Sequence, residues 1–152
     1  MEAVAQLETS LVEWVGPRIR EYVPSNPNTH PALWVSELFA SVKRAVACGD
    51  RQAMSLACEF IHRDPKLPFG KLIKSDLARE LRRHSGALVE SERKQLVAAT
   101  VRLLALPYAP RELEDYAKLL RKLPREEYVC AVSQVVTKSA KAAQTKAYLL
   151  AA

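Results

Sequence analysis

Cys58 and His62 stand four residues apart, a spacing that puts a sulfur and an imidazole on one side of a helix. Zinc accepts both donors, and Cys48 is the nearest further one. A structural zinc site wants four ligands, commonly from closely spaced cysteine pairs, and the chain has no such pairs. Among Met54, Ala57 and Ile61, Cys58 reads as a small hydrophobe in a core. No metal and no cofactor are therefore expected.

Nucleophilic chemistry is no better supported. Cys48, Cys58 and Cys130 would have to meet His30, His62 or His84 in space, since no local arrangement activates a thiol. His84 falls on the apolar side of its helix and reads as a helix-terminal or core histidine. Acid–base work would need Asp64, Asp76 or Glu80 shielded from neutralising charge. All three sit among Lys and Arg residues, which favour the ionised form and point to ordinary ion pairing. No catalytic residue is assigned, and the chain is expected not to be an enzyme.

Charge is the more informative signal. The net +6 is uneven: residues 63–84 hold seven Lys/Arg against three Asp/Glu, whereas residues 1–24 hold two Arg against four Glu. At about 100° per residue, Ile73, Leu77, Leu81 and His84 share one helical sector, with Lys71, Ser75, Arg79 and Arg82 opposite and Arg83 near the edge. Together with Lys74, and with Arg63 and Lys66 just before, these cations form a basic stripe suited to an acidic protein surface or a phosphate backbone. The competing reading is a solvated face partly neutralised by Asp76 and Glu80. Phe69 is the one aromatic within the stripe, so base stacking has little support. No DNA-binding motif occurs, and any nucleic-acid binding would be backbone-directed and weakened by salt. In the run Asp64-Pro65-Lys66-Leu67-Pro68-Phe69-Gly70, Leu67 and Phe69 either pin a crossover between helices, or Phe69 is presented to a partner as an anchor.

Helices must position these residues, because helical periodicity runs through almost the whole chain. Leu7, Leu11, Trp14 and Val15 begin it, Gly16-Pro17 interrupts it, and Ile19, Tyr22 and Val23 resume it. Residues 24–31 are a loop, dense in Pro, Asn and Ser. Pro31 suits the first position of the next helix, Gly49 its C-terminal cap, and Asp50 the N-cap of the helix that stops before Pro65. Further helices run from Gly70 to His84, from about Glu90 to Leu106, and from Pro110 to Leu123. The last run starts at Arg125. Its Val135-Val136-Thr137 cluster favours strand locally, but flanking Ala and Lys residues tip the reading to helix. Residues 138–152 are Ala/Lys-rich, either a final exposed helix or a fraying tail.

The 152 residues suit a single domain, 1–152, with ordinary apolar (49%) and charged (26%) fractions. Four glycines are too few for a turn-rich β protein or a phosphate-cradling loop. Acidic residues punctuate the N-terminus, unlike a secretory leader, and no apolar run reaches membrane-spanning length. Three cysteines without an export signal read as reduced thiols in a cytoplasmic protein.

The expected fold is all-α with six to eight helices. A capping element covers 1–23 and three helix pairs cover 31–150, opening near Pro31, Gly70 and Pro110. Pairs repeating at roughly forty residues resemble the architecture of HEAT and armadillo-type repeat proteins. That likeness implies a short right-handed stack of antiparallel pairs, the alternative being an irregular helical bundle. Stacked pairs expose an extended surface used for recognition. The expected function is accordingly a protein-interaction or adaptor module with an acidic partner, the rival being a nucleic-acid-binding or regulatory protein using the same basic face.

Overall fold

The computed structural model describes residues 2–152, and among them it contains helices and no strand. Helix α1 (Glu2–Val15) ends at Gly16, whose φ of 99° lies in the left-handed region that glycine tolerates. Pro17 then opens a 3-10 helix, Pro17–Tyr22, because it cannot donate back into α1. Pro31 begins α2 (Pro31–Ala47), and the turn Cys48-Gly49-Asp50 folds the chain back into α3 (Arg51–Arg63). Gly49 makes that turn possible with φ 82°. The Asp50 carboxylate accepts the free amides of Gln52 (2.9 Å) and Ala53 (3.2 Å) as an N-cap. Phe39 and Phe60 stack with centroids 4.3 Å apart where α2 meets α3.

Beyond Asp64 the chain crosses to α4 (Gly70–Arg83), then α5 (Glu90–Leu104), α6 (Glu112–Leu120), the five-residue α7 (Val129–Ser133) and α8 (Ala140–Leu150). Eight α-helices and the six-residue 3-10 helix make nine among the described residues, one more than the upper expectation, apart from two single 3-10 turns. Residues near 17 and near 129 account for the excess, each too short to carry a full apolar stripe.

Packing runs mainly between alternate helices. One row is α1, α3 and α5; the other is α2, α4 and α6, with α8 against both α5 and α6. Helix α4 packs on α2 and α6 on either side, and it barely touches its successor α5, with which the forty-residue spacing would pair it. The reason lies at the start of α5. Buried Glu92 accepts the Val89 amide (2.9 Å) and both its oxygens take Arg51 Nη2 (2.8 and 2.7 Å), while Arg51 Nη1 donates to Ala87 O (2.8 Å). These bonds pull α5 against α3.

The C-terminal region differs from expectation in one place. Helix α7 stops at Ser133, and residues 135–138 form no regular structure. The β-branched pair disfavours helix, buried Val135 fills the core, and its carbonyl accepts Lys146 Nζ at 2.8 Å. The Ala/Lys-rich end is a docked helix, not a tail: Ala142, Thr145 and Leu149 of α8 are buried. Arg121 and Arg125 donate to the last carbonyls of α8, Arg121 to Ala151 O (2.7 Å) and Arg125 to Leu150 O (2.8 Å) and Ala151 O (2.8 Å). These are the groups a helix C-terminus leaves unsatisfied.

Candidate functional site

The basic stripe is carried by α4 and by the turn that leads into it. Ile73, Leu77, Ala78 and Leu81 face the core, as an amphipathic helix requires. The outward cations fall into two groups. Arg63, Arg79 and Arg83 are exposed but paired: Arg63 with Glu59 at 2.8 Å, Arg83 with Glu80 at 3.3 Å, and Arg79 with both Asp76 and Asp115, the latter at 3.4 Å. Lys66 and Lys71 are exposed and Arg82 is half-buried, and none of the three has a carboxylate within 4.0 Å among the described residues.

Lys74 requires a correction. Expected to contact a partner, it is only 5% exposed and donates to Asp64. Its ammonium also lies 3.7 Å from Glu112, whose side chain is almost fully buried. Lys74 therefore ties the end of α3 and the start of α6 to α4, and it is unavailable to a partner. Ser75 is likewise fully buried, its hydroxyl without a hydrogen-bond partner in the structure. Position on a helical wheel puts Ser75 on the outer side, but α2 and α6 cover the sides of α4 and leave a narrower ridge exposed.

Phe69 and Leu67 separate. Leu67 packs on the core as a crossover pin, whereas Phe69 is 52% exposed at the N-cap of α4 with φ 59°. A left-handed backbone is costly for any residue with a Cβ, about 1–2 kcal/mol. Phe69 lines a groove between α2 and α4 of about 340 Å³, with Leu33, Ser36, Ala40, Lys43 and Leu72 among the other walls. Leu33 (47% exposed) and Leu72 (40%) present apolar surface to the same groove. Neither stood out in the sequence, because each falls outside its helix's core-facing stripe.

On the other side of α4, Lys71 Nζ sits 5.9 Å from the ring centroid of Tyr108, which is itself exposed. Tyr108 comes from the loop before α6, so no local pattern could connect it to the stripe. The two border a cleft of about 280 Å³ that also contains Lys66, Asp64, Lys74 and Glu112.

The residues weighed for chemistry are scattered. Cys58 is fully buried; burial first, then Glu92 and Glu59, push its thiol pKa well above the ordinary value, with Arg51 opposing them. That is the opposite of an activated nucleophile. His62 is half-buried with Nδ1 unpaired, and His84 caps the end of α4. Cys48 and Cys130 are exposed free thiols. Among the described residues no three His, Cys, Asp or Glu side chains come together as a metal site. No protein-family model, curated protein or solved structure matches the chain.

Proposed function

We propose that this chain is a non-enzymatic protein-interaction module that holds an acidic partner against the outer ridge of α4. The carrying observation is the set Lys66, Lys71 and Arg82, three cations in one short stretch without a carboxylate partner among the described residues. A protein solvates such charges at little cost, so their value lies in complementarity to an opposite surface, which raises association rate and selects partners. The alternate-row packing of α1 to α6 leaves an edge of α4 exposed, as helical stacks expose edges for recognition, although α4 and α5 do not form the pair that the forty-residue spacing predicts. The free thiols suit a reducing compartment, the cytoplasm. Among the described residues no helix is long and apolar enough to cross a membrane.

The test is binding to immobilised poly-L-glutamate and to partners captured from native lysate, comparing the wild type with Lys71→Glu/Arg82→Glu. Retention falling about tenfold or more, with unchanged circular dichroism, fits the reading, since each buried charge contact is worth 1.4 kcal/mol or more. Undiminished retention defeats it.

One observation favours a second reading, nucleic-acid binding. Tyr108 beside Lys71 supplies an aromatic platform next to a free cation, the combination that stacks a base and neutralises its phosphate. A gel shift that weakens steeply with salt and is lost in Tyr108→Ala would move the assignment there.

A further inference from the structure

Three large apolar side chains of this molecule are exposed to the same groove. Leu33 belongs to the start of α2, Phe69 to the entry of α4 and Leu72 to its first turn. Single exposed hydrophobes are ordinary on any surface, but a cluster sharing one concavity is not. The groove has depth because α2 offers it Leu33, Ser36, Ala40 and Lys43, spaced by three, four and three residues along one side, with the two small residues in the middle. Phe69 keeps its ring in this groove from a left-handed backbone position that a glycine or asparagine would fill with less strain.

The charges decide which segment fits. Asp76 is the acidic residue of the lining, and Arg79 already neutralises it. Lys43 is the remaining charge of the lining, with no carboxylate within 4.0 Å among the described residues. An occupant therefore needs an apolar side for the three hydrophobes and an acid for Lys43. Its backbone must also satisfy itself. The described residues offer no strand edge to pair with, and Ser36, Lys43 and Asp76 are the polar side chains of the groove. An extended peptide would bury amides without partners there, whereas a helix carries its own hydrogen bonds. From these features we infer that the α2–α4 groove seats one amphipathic, acidic helix of a protein partner. Its apolar positions lie against Leu33, Phe69 and Leu72, and its acidic flank faces Lys43. This deepens the interaction-module reading and rests on it, adding the chemistry of the partner segment.

The experiment selects binders to the full chain from a displayed library of helix-biased peptides. The expected winners repeat large apolar residues at i, i+3 or i+4, and i+7 beside Asp or Glu. Their affinity should fall about tenfold or more in Leu33→Glu and in Leu72→Glu, as it does for central anchors of an interface, and hold in Val136→Glu, which alters an exposed hydrophobe elsewhere. Both groove positions are already part-exposed, so these variants keep the fold; Phe69→Asn provides a third probe that relieves backbone strain. Enrichment of basic or extended peptides, or acidic helices indifferent to Leu72→Glu, overturns the inference. So does Leu72-dependent sedimentation with anionic phospholipid vesicles or Leu72-dependent dimerisation, if no helix is selected. If poly-L-glutamate still binds through Lys71 and Arg82 while the selection yields nothing sensitive to Leu72→Glu, the module reading survives and the groove assignment alone fails. Loss of both defeats both.

Discussion

Lys74 Nζ lies 3.7 Å from the carboxylate of Glu112 while donating to Asp64, so one buried ammonium joins three helices. Removing it would strand Glu112, which has one oxygen already without a partner, in a site that water hardly reaches. Breaking a buried pair from one side costs about 3–5 kcal/mol; Asp64 is partly solvated, so the lower end applies. Lys74→Ala should therefore shift the urea midpoint strongly, by about 3 kcal/mol of stability. Lys71→Ala and Arg82→Ala should stay within about 0.5 kcal/mol, as surface changes do. Equal effects at the three positions would contradict the division of the stripe into a structural and a free part.

The three thiols should separate just as sharply. Cys48 and Cys130 are exposed and should react with a disulfide reagent in the native protein, giving two equivalents. Cys58 is fully buried and its thiolate is disfavoured by burial and by Glu92, so its equivalent should appear only with denaturant. Three equivalents at native-state speed would show that α3 opens readily.

Alkali should unfold the protein for a related reason. Burial, then Glu112 and Asp64, raise the Tyr116 pKa far above its ordinary value, and burial with Asp50 raises that of Tyr22 more modestly. In both the folded state keeps a proton that the unfolded state releases. Their contribution is complete below the unfolded-state pKa of about 10 and declines as pH rises past it. Cys58 acts in the same direction from its unfolded value of about 8.5. A phenolate absorbance titration should show Tyr116 ionising only together with loss of helical ellipticity. Ionisation of every tyrosine with the helices intact would count against the buried placement of Tyr116.

Helix ends were legible from sequence wherever a residue acts through its own backbone. Gly49 and Asp50 mark the α2–α3 turn, and Pro17 and Pro31 mark an interruption and a start, because φ, a missing amide or a short carboxylate decides each locally. Lateral packing was not legible in the same way. The partner of α4 depends on where Arg51 holds α5, forty-one residues of separation between Arg51 and Glu92 that no periodicity reports. The same holds for the surface. On a helical wheel Lys74 falls beside Leu81 at the edge of the apolar sector and Lys71 in the outer one, but nothing local pairs Lys74 with Asp64 and Glu112; Tyr108 reaches Lys71 from a separate loop.

The arginine clasp on α8 offers a local test of how the C-terminal helix is held. Arg121 and Arg125 together occupy carbonyls from Tyr148 to Ala151, and Arg121 also sits 5.2 Å from the Tyr148 ring centroid. A net hydrogen bond to a charged donor contributes about 1.5–3 kcal/mol when well shielded, and less where, as here, solvent competes. Arg121→Ala/Arg125→Ala should lower stability by about 1–2 kcal/mol and speed amide exchange in residues 146–151 more than in residues 31–63. Uniform exchange across the chain would mean that burial of Ala142, Thr145 and Leu149 holds the helix without the clasp.

Phe69 sets stability against binding, and Phe69→Asn separates the two. Asparagine tolerates a left-handed backbone far better than phenylalanine, which recovers part of the strain of about 1 kcal/mol stored there. The substitution also exposes whatever apolar surface the half-buried ring covers, about 1 kcal/mol in the opposite sense. These terms nearly cancel, so the melting temperature should stay close to the wild-type value, whereas Phe60→Ala in the core should cost about 3–5 kcal/mol. If Phe69 were only a crossover pin, Phe69→Asn would behave like a weaker Phe60→Ala. A protein that keeps its melting temperature and loses its helical ligand would show that the strain at residue 69 is retained for the ring it displays.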